Sequence, residues 1–230
     1  MEVLTRLDNG VHWFQFVGMP RPTAIDSLLE RYPVISDQVD KGELRIILSE
    51  LHSRLAITPH DASVVELGCY IGTTSLFIRR LLDIQAQQVA FHVYDSFVGL
   101  PEKTTKDLSP AGEQFRAGEL AVSRKVFELQ FKKANLRLPV IHKGWFSGIA
   151  EADVPDGICY AYLDGDYYES IRDSLCAIET NLLPDATIVV DDYANEALPG
   201  ARRAVDEWLR GRAASLRVES SLAIIHLQNT

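Results

Sequence analysis

Two short apolar runs, Ile158-Cys-Tyr-Ala-Tyr-Leu163 and Ala186-Thr-Ile-Val-Val190, each break off into acid, the first at Asp164-Gly-Asp166 and the second at Asp191-Asp192. One helix-length segment separates them, so the pattern reads strand, helix, strand. The right-handed rule for such crossovers makes the two strands parallel. Both acidic clusters then lie at the carboxyl edge of one sheet, where open α/β sheets bind ligands. The same alternation recurs upstream. Ser63-Val-Val-Glu-Leu67 is a buried strand that runs into Gly68-Cys-Tyr-Ile-Gly72, and the helix after it carries Leu76, Phe77, Leu81 and Leu82 on its apolar side. Ala90 to Asp95 and Pro139 to Lys143 read as the next strands. Between them a helix from Ala121 is expected to send Val126, Phe127, Leu129 and Phe131 toward the core.

The flanks follow the same reading. Leu44, Ile47, Leu48, Leu51 and Leu55 hold helical spacing, with Asp40 available as the cap. That helix should cover one sheet face or the mouth of the site. Pro199 opens a helix with Ala201, Ala204, Val205, Trp208 and Leu209 on one face. Ser215 to Glu219 and Leu222 to Leu227 read as a terminal hairpin. The expected fold is α/β, with a Rossmann-like, mostly parallel sheet, a C-terminal antiparallel hairpin and helices on both faces. Residues 1–57 are expected to form an N-terminal helical or cap segment and residues 58–230 the main domain. The polar stretch 102–124 is its expected lid. The aromatic run Val11 to Val17 is read as a short strand or flap that packs on the domain or on a partner subunit, so a homo-oligomer stays open.

Charge and cysteine content narrow the setting. A formal net charge of −9 argues against nonspecific affinity for nucleic acid or anionic membrane. No window is apolar and long enough to span a bilayer, which makes the cytoplasm the default location. Cys69, Cys159 and Cys176 all sit inside predicted core elements and are odd in number. They read as small buried hydrophobes in a reducing compartment.

Asp164, Asp166, Asp191 and Asp192 converging on one edge repel one another unless a cation neutralises them. A hard-metal site follows as the first expectation. The glycine loop qualifies the partner. A dinucleotide fold wants G-x-G-x-x-G, whereas this loop has Gly68 and Gly72 only, preceded by Glu66. An acid at that strand end suits a cationic amine and sulfonium better than a phosphate, which favours S-adenosylmethionine over NAD. Asp95 ends the next strand about twenty residues beyond the loop, where a carboxylate commonly meets ribose hydroxyls; a solvated strand-end aspartate is the plainer alternative. Asp164-Gly-Asp166 also reads as the D-x-D motif of a glycosyltransferase, against which stand the Glu66–Gly72 loop and the second acidic pair. No H-E-x-x-H, paired-cysteine or G-x-S-x-G pattern supports zinc or a serine hydrolase.

In sequence order, VVELGCYIGTTS from Val64, VYDSFVGLP from Val93, FRAGELAVSRKVF from Phe115, IHKGWF from Ile141, YLDGDYYESIRDSL from Tyr162 and IVVDDYANEALPGARRAVDEW from Ile188 resemble the macrocin O-methyltransferase (TylF/MycF) family. The resemblance covers roughly residues 60 to 210. It implies a class I methyltransferase fold using S-adenosylmethionine and Mg²⁺ to methylate a hydroxyl, with a sugar or glycoside as the small-molecule acceptor and a phenol or catechol as the close alternative. By the same resemblance Asp164, Asp191 and Asp192 are metal ligands. Asp166 is the general base, or else a supporting acid or helix cap. Glu66, Gly68, Gly72 and Thr73 surround the methionine side of the cofactor, together with Asp164 and with Cys69 and Tyr70, which depart from the family's usual residues. Asp95 and Ser96 face the ribose, and Ser123, Trp145 and Phe146 belong to the lid and adenine surround.

Overall fold

The computed structural model describes residues 3–6, 12–15, 23–58, 61–85 and 89–228. Strands β1 (Val3–Arg6) and β2 (His12–Gln15) pair antiparallel. The strand expected in the aromatic run is therefore present, while its packing lies outside the described residues. Helix α1 (Ala24–Arg31) is followed by α2 (Lys41–Leu55). Asp40 caps α2 as expected: its carboxylate accepts from the Gly42 and Glu43 amides, and Glu43 accepts from the Asp40 amide in return. This reciprocal box satisfies donors that the first helical turn leaves orphaned.

Seven strands form the main sheet: β3 (Ser63–Leu67), β4 (Ala90–Asp95), β5 (Val140–Lys143), β6 (Ile158–Leu163), β7 (Leu182–Val190), β8 (Ala214–Glu219) and β9 (Leu222–Leu227). Their order is β5-β4-β3-β6-β7-β9-β8. The first five run parallel, and β9 and β8 close the sheet antiparallel. Strand order reverses between β3 and β6, so the crevice outside their carboxyl ends is the switch point of the sheet.

Side chains alternate across the pleat, and this splits the core in two. Val64, Tyr160 and Tyr162 face α1, α2, α3 (Thr73–Ile84) and α4 (Arg124–Ala134). Val65, Ala161 and Leu163 face α5 (Tyr168–Ile178) and α6 (Pro199–Leu209). Helices thus cover both faces, as the periodicity requires.

Three expectations are corrected. Helix α4 begins at Arg124, and of its four nominated residues only Phe127 and Phe131 are buried; Val126 and Leu129 are 39% and 43% exposed. A single helix lying on a sheet buries one i, i+4 stripe, and those two residues fall outside it. Strand β5 starts at Val140, the proline before it having no amide to give the ladder. Cys176 is exposed, one position round α5 from buried Leu175, whereas Cys69 and Cys159 are buried. Among the described residues no helix is long and apolar enough to cross a membrane.

On the sheet edge the ring of His142 stacks on Tyr94 at 4.4 Å and on His92 at 5.3 Å, with imidazole nitrogens 3.1 Å apart. Burial, helped by His142, pushes His92 down to about 4 from 6.5. The folded chain therefore keeps this imidazole neutral where the unfolded chain takes up a proton. Stability is expected to fall as pH drops from 6.5 toward about 4. Urea midpoints measured against pH should show a flatter slope for His92→Phe than for the wild type; identical slopes would remove His92 from that titration.

Candidate active site

Strand β3 runs into Gly68, whose φ of 94° lies in the left-handed region. A Cβ there would collide with the Asp164 backbone carbonyl. The Asp164 amide in turn donates to the Leu67 carbonyl at 2.8 Å, so the glycine loop and the first acidic loop are built back to back. Gly68→Ala combines a left-handed alanine with overpacking, an expected loss of about 2–5 kcal/mol. Calorimetry should show a Tm lower by on the order of 10 °C; an unchanged Tm would mean the loops separate freely.

Asp95, at the end of β4, clamps the loop from the other side. Its Oδ2 accepts from the amides of Cys69 at 2.9 Å and Tyr70 at 3.2 Å, and its Oδ1 accepts from Phe97 at 2.7 Å. A carboxylate has room for about four acceptor bonds, so one edge remains for a ligand.

The acids gather at the ends of β6 and β7. The Tyr162 hydroxyl, fully buried, donates to Asp191 Oδ2 at 2.6 Å and lies 3.4 Å from Asp164 Oδ2. Asp191 Oδ1 accepts from the Asp192 amide at 2.8 Å, and Asp192 accepts from Asn195 at 2.8 Å. The Ser221 hydroxyl stands between Asp191 and Glu43, at 3.2 and 2.9 Å. Burial, then the neighbouring carboxylates, holds Asp164 and Asp166 well above the usual carboxylate range. The same two causes push Asp192 up to about 7. Burial also raises Asp191, against the hydrogen bond from Tyr162. None of the four has an ion-pair partner among the described residues.

Asp166 and Asp192 are held at φ of 58° and 57°. Left-handed non-glycine residues persist where the surroundings over-determine them, commonly at functional sites. Asp166 accepts no hydrogen bond from the described residues and lines the cavity. It does not cap α5; Asp107 does, accepting from the Tyr168 amide at 2.6 Å. Asp107 also accepts from the Thr104 amide and hydroxyl at 2.8 Å, and Lys106 pairs with Glu207 of α6. The expected lid is thus docked across α5 and α6.

A cavity of about 610 Å³ runs over this edge. Gly68, Cys69, Tyr70, Asp95 and Ser96 line it together with Asp164, Asp166, Asp191 and Asp192. Trp145 and Phe146 also line it, as do Gln114, Phe115 and Leu120 of the 102–124 segment. Four nominated residues stand outside the lining. Glu66 is buried beneath the loop, where it accepts from the Ser75 hydroxyl at 2.5 Å, leaves its other oxygen unpaired and is pushed up to about 8 by burial. Gly72 caps α3 against the Phe127 ring, the Thr73 hydroxyl donates to Ser36 at 3.1 Å, and Ser123 caps α4.

The sequence reading missed Glu43, Tyr162, Asn195 and Ser221. Tyr162 carried a usable signal, two residues before Asp164 on one strand and so on the same face. Glu43 and Ser221, 178 positions apart, carried none. Carboxylate oxygens are the donor type that a hard divalent ion prefers. No three acidic, histidine or cysteine side chains among the described residues stand at metal-holding spacing.

A doubly wound parallel sheet, a glycine turn after its first switch-point strand, a closing antiparallel hairpin and a cavity at the switch point define the class I methyltransferase fold. The solved O-methyltransferase NovP superposes with a TM-score of 0.64 at 23% identity, over 81% of this chain and 78% of its own. Calicheamicin methyltransferase CalS11 gives 0.64 at 20% identity, over 88% and 89%; a second CalS11 structure, described as TDP-rhamnose 3'-O-methyltransferase, gives 0.55 at 18%, over 88% and 91%. The macrocin-O-methyltransferase (TylF) family model matches residues 48–221, and the chain belongs to that family. Among curated relatives, the 8-demethyl-8-(2,3-dimethoxy-alpha-L-rhamnosyl)-tetracenomycin-C 4'-O-methyltransferase of Streptomyces olivaceus is 31% identical over 156 residues, 65% of this chain and 58% of that protein. The demethyldecarbamoylnovobiocin O-methyltransferase of Streptomyces niveus is 30% identical over 165 residues, 63% and 57%. The matches thus span less than two thirds of either relative's length.

Proposed function

We propose that this chain is a Mg²⁺-dependent O-methyltransferase that moves a methyl group from S-adenosylmethionine to a hydroxyl of a sugar or glycosylated natural product. One observation carries the reading: a single cavity joins the glycine loop to the four sheet-edge acids. The names of the relatives, a rhamnosyl tetracenomycin methyltransferase and a TDP-rhamnose methyltransferase, support a sugar hydroxyl as acceptor.

When bound, S-adenosylmethionine supplies the electrophilic methyl group and Mg²⁺ the positive charge that makes a hydroxyl acidic. Methyl transfer is a displacement, so the chain's part is alignment and proton removal. Asp164, Asp191 and Asp192 would hold the cation, and Tyr162 and Asn195 fix two of those carboxylates. Asp166, with both oxygens uncommitted, accepts the hydroxyl proton. Gly68 to Tyr70 would receive the methionine end, Asp95 and Ser96 the ribose, and Trp145 and Phe146 the adenine. Phe115 and Leu120 of the lid exclude water.

The test is a screen with labelled S-adenosylmethionine and Mg²⁺ over glycosides, nucleotide sugars and phenols. Label on a sugar hydroxyl, dependent on Mg²⁺, is the expected result. Tight UDP-sugar binding without S-adenosylmethionine binding would replace this reading with a D-x-D glycosyltransferase, and label on phenols alone would move the acceptor class.

A further inference from the structure

The segment 102–124 is anchored unevenly. Its first part docks on α5 and α6 through Asp107 and Lys106, and the Ser109 hydroxyl donates to the Glu196 carbonyl. Further on, the Gly118 amide donates to the Leu100 carbonyl and the Leu100 amide to the Glu119 carbonyl, both at 2.9 Å. Across 110–117, among the described residues, hydrogen bonds to residues more than three positions away fall on Gln114 alone. The Lys103 ammonium donates to its backbone carbonyl at 2.7 Å, and Asn195 Nδ2 donates to its Oε1 at 3.2 Å. The second bond is the one that ties this stretch to the sheet edge.

Asn195 is oriented by its own surroundings. Its Oδ1 accepts from the Ala197 amide at 3.0 Å, so its Nδ2 faces Asp192 Oδ1, at 2.8 Å, as well as Gln114. A donor in that position makes the facing atom of Gln114 its carbonyl oxygen, and Gln114 Nε2 then points elsewhere. Three side-chain amides line the cavity, those of Gln38, Gln114 and Asn195. Asn195 spends both its N–H groups and Gln38 spends one on Asp37, whereas Gln114 spends neither among the described residues.

Resting on the reading above, we infer that Asn195 is a positioning residue, and that the Gln114 amide it holds selects the acceptor by a hydroxyl oxygen next to the one methylated. Ionised carboxylates only accept, so an acceptor hydroxyl that donates to the sheet-edge acids leaves its oxygen wanting a donor. No lysine, arginine or histidine among the described residues lines the cavity to supply one. Gln114 stands one bridging amide away from Asp192, which puts that oxygen close to the reacting hydroxyl. A site built to hydrogen-bond a substrate hydroxyl rejects the analogue that lacks it, because the protein's own group is then left unpaired.

The test runs the full chain with S-adenosylmethionine and Mg²⁺ on a panel of p-nitrophenyl hexosides, then on the monodeoxy analogues of the best of them. With the wild type, an analogue deoxygenated beside the methylated hydroxyl should lose about three- to tenfold in kcat/KM, the worth of one neutral hydrogen bond. Gln114→Met, similar in length and without a donor, should treat that analogue and its parent alike. Its KM for the parent should rise, and the Mg²⁺ shift of Tm should stay. Hydrogen exchange reads the strut: in Asn195→Ala the amides of 111–119 should exchange about three- to tenfold faster. Unchanged exchange in Asn195→Ala, a wild type indifferent to that deoxygenation, or a penalty that survives in Gln114→Met each overturns the inference and leaves the methyltransferase reading in place. If no hexoside of the panel is methylated, the sugar-acceptor reading falls, and this inference with it.

Discussion

Asp191→Asn is expected to abolish the response of this protein to Mg²⁺. A cation bound only by the folded chain stabilises it by about 2.7 kcal/mol at a hundredfold excess over its Kd. In a domain of this size that corresponds to a Tm gain of roughly 5–10 °C, reversed by chelation. In the variant the gain should disappear. Methyl transfer should fall by at least about 10²-fold, since even residues that merely support metal ligands are worth about 10- to 100-fold. S-adenosylmethionine affinity should stay close to wild type, because among the described residues no hydrogen bond joins Asp191 to the glycine loop or to Asp95. Asparagine is the informative replacement. It keeps an acceptor for the Tyr162 hydroxyl, which donates to Asp191 at 2.6 Å. Alanine would leave that buried hydroxyl only the long 3.4 Å contact with Asp164, a cost of about 1–3 kcal/mol that would confuse folding with metal binding. A full Mg²⁺ shift in Asp191→Asn would remove Asp191 from the ligand set.

The elements that carry these acids were legible because their signals are local. An apolar run ending in acid marks β6 and β7, and Asp40 before the helical spacing of Leu44, Ile47 and Leu48 marks the start of α2. Alternation along each strand assigns faces without any knowledge of the partner element. Signals failed where a residue's environment comes from elsewhere in the chain. The pattern around Phe127 and Phe131 could not say how wide a stripe α4 would bury, so Val126 and Leu129 were assigned inward and stand exposed. Cys176 failed for the same reason on α5. Asp107 looked like one polar residue in a loop, yet it is 2% exposed and caps α5 from 61 positions away. Glu43 is the instructive case. The structure gives it the second half of the Asp40 capping box, and its place in the cavity beside Ser221 depends on the terminal hairpin returning to α2. Glu66, Gly72, Thr73 and Ser123 show the converse. They belong to well-marked motifs, and the structure spends them on building the loop and capping helices, outside the lining of the cavity.

Asp166→Asn separates proton removal from everything else the site does. The side chain accepts no hydrogen bond from the described residues, so its loss leaves no buried donor behind. Asparagine also tolerates the left-handed backbone at φ 58° better than most residues, so the fold should survive the change. Removing a positioned general base lowers kcat by about 10²–10⁴-fold. The Kd for S-adenosylmethionine should move little, since Asp166 holds none of the hydrogen bonds that shape the glycine loop, which come from Asp95. The Mg²⁺ dependence of Tm should also survive, which distinguishes this variant from Asp191→Asn. If kcat is unchanged, the proton leaves by another route and Asp166 is not the base. If kcat falls together with the Mg²⁺ shift, Asp166 belongs with the ligands. An acceptor with a more acidic hydroxyl sharpens the result: a phenol needs less help losing its proton than a sugar does. The loss in Asp166→Asn should therefore be smaller for a phenolic acceptor than for a glycoside under the same conditions, whereas a defect in alignment would penalise both alike.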